Sequence, residues 1–183
     1  MERNKIYFAS DFHLGIPDFD SSLEREKKIV RWLSSIENDA AKIFLVGDLF
    51  DFWFEYKYVV PRGHVRLLGK IAELKDKGID IHVFTGNHDL WMYGYFEEEL
   101  KVPVHHDSIQ FEFGGKKFFV GHGDGIGPGD NGFKLMKRIF KSKAAQVLYG
   151  MLHPYIAFKV ARFFSHNSRR ANEEEEFLGD DKE

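Results

Sequence analysis

Cysteine is absent from the 183 residues. That excludes disulfides, thiolate metal sites and a cysteine nucleophile. Long apolar runs are missing too: no stretch reaches the ~18 uncharged apolar residues that would read as a membrane-spanning helix. The opening Met1-Glu2-Arg3-Asn4-Lys5 leads straight into a short apolar run, without the apolar core of a signal peptide. Internal repeats are lacking, and the one low-complexity tract is Glu173–Glu176. The expectation from these absences is a soluble cytoplasmic chain, with attachment to a membrane surface left open.

What is present fits one globular domain of ordinary size, since 43% hydrophobic and 30% charged residues are incompatible with a disordered chain. The aromatic share is high, at 16% with 19 Phe, enough to fill a core or to line a pocket for an apolar ligand. Charge is segregated. Residues 132–170 carry nine Lys+Arg and no Asp or Glu, whereas residues 1–131 carry 16 Lys+Arg against 22 Asp+Glu. Residues 171–183 hold one Lys and seven acids. A long segment of one sign beside an acidic body points to an anionic ligand or surface.

The hydrophobic pattern predicts strands at 6–10, 42–46 and 79–85, with helices over 22–36 and 64–77 between them. Ser21 or Ser22 is the expected N-cap of the first helix, and Gly78 the stop of the second. Alternating strands and helices with short links argue for parallel βαβ units. Shorter strands follow at 102–105, 109–113 and 117–121, the last two joined by a Gly114-Gly115 turn. The basic segment reads as two or more helices, broken near Gly150 and at Pro154, and the acidic end as solvated.

Four times a predicted strand gives way to chemistry-bearing residues: Asp11-Phe12-His13, Gly47-Asp48-Leu49-Phe50-Asp51, Gly86-Asn87-His88-Asp89 and Gly121-His122-Gly123-Asp124. In open α/β sheets ligands bind beyond the carboxyl ends of the strands, so these loops should converge. Carboxylates, imidazoles and an amide oxygen without sulfur suit hard or borderline divalent ions. A carboxylate between two ions can bridge them, and Asp48 is the best candidate. Two metals ~3.5–4 Å apart can activate water and clamp the oxygens of an in-line displacement at phosphorus. His88, next to Asn87, is placed to give a proton to the leaving oxygen. Asp51 and Asp89 are placed to orient ligand imidazoles.

The ordered set DFH, GDLFD, GNHD and GHGD resembles the calcineurin-like metallophosphoesterase superfamily, closely over residues 5–126. The resemblance implies a β-sandwich flanked by helices. It implies that Asp11, His13 and Asp48 hold one metal and that Asp48, Asn87 and His122 hold a second, with Asp51, Asp89 and Asp124 behind them. Such metals are often Mn²⁺, sometimes Fe or Zn. The family's fifth motif, Gly-His-x-His, is absent: the last histidine is His166, in His166-Asn-Ser-Arg. Either the core continues beyond Glu183, where two further histidine ligands should then lie, or the site is incomplete.

Within the superfamily, the GDLFDFWFEY run at 47–56, the HGDG motif followed by Asp130 and a helical insertion resemble UDP-2,3-diacylglucosamine hydrolases of lipid A synthesis. That resemblance implies cleavage of a lipidated sugar nucleotide's pyrophosphate to UMP and a diacylglucosamine 1-phosphate. It divides the chain into a core at 1–126, a helical lid at 127–170 and an acidic linker or tail at 171–183. In the lid, apolar residues such as Ile139, Leu148, Met151 and Phe163 are interleaved with cations, as in a membrane-surface element. Asn87, Asp130, Lys137, Lys141, Arg169 and Arg170 are candidate substrate contacts. Peripheral attachment to the inner face of the cytoplasmic membrane follows as an expectation, with no specific nucleic acid as partner and the oligomeric state open. Two competing readings stand: a phosphodiesterase or nuclease, whose phosphates the nine cations would also suit, and a metal-deficient binding protein, motivated by the missing fifth motif. Trp53, Phe54, Tyr56 and Tyr58 could stack on a base or sit in the core, and half of them are expected in the core.

Overall fold

A computed structural model describes residues 3–123 and 131–174; for 131–134, 136, 162 and 166–174 it describes the backbone alone. Contacts divide the chain into two units, residues 1–142 and 143–183.

In the first unit, β1 (Lys5–Ala9), β2 (Ala40–Val46), β3 (Asp80–Phe84) and β4 (Val104–His105) form one parallel sheet in that order. Helix α1 (Phe19–Ile36) links β1 to β2, and α2 (Val65–Asp76) links β2 to β3. The single turn α3 (Tyr95–Glu98) precedes β4. The strands β5 (Ile109–Phe113) and β6 (Lys116–Val120) then pair antiparallel around Gly114-Gly115.

Alternation along the strands sorts side chains onto two faces. Ile43, Leu45, Ile81 and Val83 are buried with Ile29 and Leu33 of α1 and with Leu67 and Ile71 of α2. On the other face Phe44 and Phe84 are buried with Val120, and Ile6, Ile109, Phe111 and Phe118 pack against them. Phe111 meets Phe44 at 4.5 Å between ring centroids. Helices, parallel sheet and hairpin are thus three layers, the sandwich that the resemblance implied. Full burial of one such side chain contributes about 1.5–3 kcal/mol, so these two clusters dominate the stability of the unit.

Helix N-termini are secured by carboxylates, one local and two brought from elsewhere. The N-cap of α1 is Asp18, whose Oδ1 accepts from the Ser21 amide at 2.9 Å, one turn before the expected serines. Ser22 is instead buried, and its hydroxyl accepts from the Gly15 amide at 2.8 Å. The first turn of α2 has no side-chain bond from its own N-cap, His64. Buried Glu26 on α1 accepts from the Arg66 and Leu67 amides at 2.8 and 3.0 Å and does that job across the interface. Glu55 likewise accepts from Gly94 and Tyr95, ahead of α3. Gly78 ends α2 as expected, with φ +79.

The basic segment forms three helices, α4 (Asn131–Phe140), α5 (Lys143–Gly150) and α6 (Pro154–Glu174), with breaks at Gly150 and Pro154 as the sequence predicts. Helix α4 belongs to the first unit and is pinned there: the Trp91 indole donates to the Phe140 carbonyl at 2.8 Å, and the two rings meet edge-on. The second unit carries α5 and α6. Val147, Leu148, Met151, Tyr155, Phe163 and Phe164 are all exposed on it, Met151 to 77%. Among the described residues, no helix is long and apolar enough to cross a membrane. Of the aromatic run, Trp53 and Phe54 are core, whereas Tyr58 is exposed.

Candidate metal centre

The ladder between β1 and β2 does not stop where the strands do. Asp11 N–H donates to the Gly47 carbonyl, His13 to Asp48 and Leu14 to Leu49, at 3.1, 2.9 and 3.1 Å, and Asp51 donates back to Leu14 at 2.9 Å. The first two loops are therefore zipped side by side. Within them Asp11, His13 and Asp48 adopt left-handed backbone, with φ of 58°, 42° and 53°. Non-glycine residues take that region at a cost, and such strain gathers at functional sites. Arg25, on α1, donates from one guanidinium nitrogen to the carbonyls of Phe12, His13 and Ile16 at 2.9–3.3 Å, fixing the first loop from below.

The third loop is bound to the second through two carboxylates. Asp48 Oδ1 accepts from the His88 amide at 3.0 Å. Asp89, fully buried, accepts from the Gly86 and Leu49 amides at 2.7 Å each, with Asp48 and Phe50 amides farther off at 3.3 and 3.4 Å. Asp89 therefore orients backbone, where the sequence reading had it orient an imidazole. Burial, then the neighbouring charge of Asp48, pushes its carboxyl up to about 6 against the pull of those amides. Gly86 is needed for the approach of the loops, because a Cβ there would run into the Asp48 carboxylate. Gly47, at φ +79, would place a Cβ 2.6 Å from the His122 ring.

Asp48 is the centre of the cluster. His122 Nε2 lies 3.4 Å from its Oδ2, and His13 Nε2 lies 3.8 Å from the same oxygen and 3.7 Å from Asp11 Oδ1. His122 Nδ1 stands 2.9 Å from the Val46 carbonyl, so Nδ1–H donates there and Nε2 keeps its lone pair toward Asp48. His88 Nδ1 is 3.0 Å from the Asp51 carbonyl, and its ring meets His13 edge-on at 4.9 Å. Burial would raise the Asp48 carboxyl, but the neighbouring His122 ring and the hydrogen bond from the His88 amide outweigh it and hold it below its ordinary value. Burial lowers His13, more than Asp48 raises it, so the imidazole is favoured neutral.

These residues fit a divalent ion. Two donors that each sit ~2.1 Å from one metal stand about 3–3.5 Å apart, close to the separations around Asp48 and too long for direct hydrogen bonds. His13 Nδ1 is buried without a hydrogen-bond partner. Asp11, His13 and Asp48 each offer a ligand atom within 4.8 Å of the others, and so do His13, Asp51 and His88. The donors are oxygen and imidazole nitrogen, the set preferred by hard and borderline ions.

The other expected residues are spread more widely. Asn87 follows Gly86 and is exposed. Lys137 lines a pocket next to His122. Lys141 donates to the His106 carbonyl at 3.3 Å and pairs with Asp107 at 3.2 Å, joining α4 to the β4–β5 link. Arg169 and Arg170 lie on α6, their side chains outside the described residues, and Asp124 and Asp130 lie outside them altogether. Arg25 was not foreseen; the two glycines were read as allowing the sharp turn before a ligand, and the close approach of the loops is what the structure adds. Arg25 has no sequence signal, whereas Gly47 and Gly86, each directly preceding a candidate ligand, carried one.

A model of the calcineurin-like phosphoesterase family matches residues 4–176. A UDP-2,3-diacylglucosamine hydrolase of Porphyromonas gingivalis is 43% identical over 178 residues, which is 97% of this chain and 68% of that protein. One from Neisseria meningitidis is 29% identical over 147 residues, 80% of this chain and 59% of its own length. One from Aeromonas salmonicida is 27% identical over 144 residues, 78% of this chain and 54% of its own length. The chain thus spans between 54% and 68% of these relatives. The matched stretch includes each of the four loops that meet at Asp48, and the chain belongs to the calcineurin-like phosphoesterase family.

Proposed function

We propose that the chain is the metal-dependent catalytic part of an enzyme that hydrolyses the pyrophosphate bond of UDP-2,3-diacylglucosamine, giving UMP and 2,3-diacylglucosamine 1-phosphate. The observation that carries this reading is the cluster in which His13 and His122 approach the buried carboxylate of Asp48 and Asp11 lies beside His13. The names of the relatives supply the substrate.

Asp11, His13 and Asp48 would hold one divalent ion, and Asp48, Asn87 and His122 the other, with Mn²⁺ suited to the oxygen and imidazole donors. When bound, two such ions would supply a nucleophile at neutral pH and offset charge on the phosphoryl oxygens. The chain does the rest. Asp89 and Arg25 hold the loops rigid, so little reorganisation is needed as charge develops. His88, its Nδ1–H directed at the Asp51 carbonyl, presents Nε2 for proton transfer to the leaving oxygen.

Helices α5 and α6 support the lipid half of the reading. Their exposed apolar side chains form a greasy surface that a nucleic-acid groove, with aromatics spaced among cations, does not need. Each acyl methylene buried on such a surface contributes about 0.8 kcal/mol. Each Lys or Arg near an anionic headgroup adds about 1 kcal/mol. A peripheral position on the cytoplasmic face of the membrane is part of this reading, with Lys137 and Lys141 as candidate contacts for phosphate or headgroup.

The test is hydrolysis by the purified protein with Mn²⁺. Faster turnover of UDP-2,3-diacylglucosamine than of bis-p-nitrophenyl phosphate supports the reading, and preference for the small diester overturns it. His88→Ala should keep its metal and lose turnover by about 10²–10⁴; loss of both would make His88 a ligand.

A further inference from the structure

A histidine that binds a metal through one ring nitrogen is ordinarily aimed by a hydrogen bond from the other. His122 has that support: its Nδ1 stands 2.9 Å from the Val46 carbonyl. His13 does not. Its Nδ1 is buried without a hydrogen-bond partner, while Nε2 lies 3.7 Å from Asp11 and 3.8 Å from Asp48. The His88 ring packs against it edge-on at 4.9 Å, with no hydrogen bond to Nδ1. The remaining handle on the imidazole is the backbone, which is left-handed at His13, with φ of 42°. A non-glycine residue rests in that region only where its surroundings impose it.

The two peptide planes that flank His13 are each held at both ends. In the first, the His13 amide donates to the Asp48 carbonyl at 2.9 Å, and the Phe12 carbonyl accepts from Arg25 Nη1 at 3.3 Å. In the second, the Leu14 amide donates to the Leu49 carbonyl at 3.1 Å, and the His13 carbonyl accepts from the same Nη1 at 2.9 Å. Fixing both planes fixes the torsions on either side of the His13 Cα, and so the direction in which the side chain leaves the loop. The amide ends belong to the ladder between the loops, whereas the carbonyl ends depend on one nitrogen. The Ile16 carbonyl, at 3.2 Å, is gathered to the same point. Three carbonyl oxygens turned toward one another repel unless a donor stands between them. Without Arg25 at least one would have to turn away to water. Turning the Phe12 or His13 carbonyl rotates a plane next to the Cα of the ligand.

We infer that Arg25 is the positioning residue for His13, holding through the backbone a ligand that no ring hydrogen bond holds, and that it governs one metal position of the two. The inference rests on the metal-site reading. Its reach is local. At the position of Asp48, Asn87 and His122, the Asp48 carboxylate is held by the His88 amide and His122 by the Val46 carbonyl, and neither bond comes from the first loop. Charge alone would act the other way, since a guanidinium near the site repels a divalent ion and its removal would tighten binding. Positioning and charge therefore predict opposite signs.

The experiment titrates the metal-free chain and its variants with Mn²⁺ by calorimetry. Arg25 is partly buried on α1, and methionine keeps an apolar stem and a good helix propensity there, so Arg25→Met should fold. The wild type should take up two ions; fewer would overturn the two-metal reading itself, apart from anything Arg25 does. In Arg25→Met one ion should bind about 10–100-fold more weakly, the usual cost of losing a group that orients a ligand. The other ion should keep its affinity. Asp11→Asn shows which position is affected: with the Asp11 position already lost, adding Arg25→Met should change the affinity of the remaining ion by no more than about twofold. Arg25→Lys, whose ammonium also brings three donors to one nitrogen, should bind the weakened ion more tightly than Arg25→Met does. Unchanged or tighter binding in Arg25→Met, equal weakening of both ions, or an Arg25→Lys no better than Arg25→Met would overturn the assignment.

Discussion

Gly86→Ala adds one methyl group at the point where the loops after β2 and β3 touch. The new Cβ would overlap the Asp48 carboxylate and stand 2.7 Å from the Asp48 backbone nitrogen. The carboxylate could rotate away, but it would then lose the His88 amide and its place between His13 and His122. The backbone nitrogen cannot yield cheaply, because Asp48 is already held in left-handed backbone, with its carbonyl bonded to His13. Overpacking of this kind costs about 1–3 kcal/mol, against the 5–15 kcal/mol that a domain has to lose. The variant should therefore fold, with a lower urea midpoint. Gly115→Ala is the matched comparison: its φ is +73 and nothing lies within 4 Å of the added atom, so strain alone costs about 1–2 kcal/mol. Urea unfolding of the metal-free proteins should give comparable losses. Titration with Mn²⁺ should then separate them, with affinity falling at least tenfold in Gly86→Ala and staying at the wild-type value in Gly115→Ala. Wild-type affinity in Gly86→Ala, or equal loss in both, would refute the claim that this contact shapes the Asp48 site.

Gly69 sits exposed inside α2 with open space around it, so Gly69→Ala should stabilise the fold by about 0.5–1 kcal/mol, raising the melting temperature measured by circular dichroism. Asp39 is held below its ordinary value of 3.8 by hydrogen bonds from Lys5 and Tyr7, which outweigh the opposing effect of burial. A depressed carboxyl contributes stability that is complete above 3.8 and disappears as pH falls through the folded value. The stability gap between wild type and Asp39→Asn should therefore be flat from pH 7 to about 5 and close below 3.8. A gap that widens on acidification in urea melts would contradict it.

Strand ends were legible because each apolar run stops abruptly at a polar residue, and a parallel sheet gathers such ends by geometry. Asp11, Asp48 and His122 can thus be joined from the sequence alone. The N-cap of α1 was misplaced because Asp18, Ser21 and Ser22 are all good caps. Ser22 was drawn away by the Gly15 amide, a contact set by the loop. Glu26 and Glu55 looked like ordinary acids in helix or loop, and Asp89 like a partner for a ligand imidazole, yet each bonds amides far along the chain or across a tight turn. No local pattern announces such a pairing. The pocket next to His122 was invisible for the same reason: its wall comes from the end of β3, the β4–β5 link, the loop after β6 and α4, which only the fold assembles.

The account turns on Asp48 as the shared ligand of two ions. Metal analysis of wild type and Asp48→Ala after equilibration with Mn²⁺ and removal of free ion tests it most directly. The account predicts bound Mn²⁺ in the wild type and loss from both positions in the variant, with phosphodiesterase activity gone. Metal content unchanged in Asp48→Ala would contradict it.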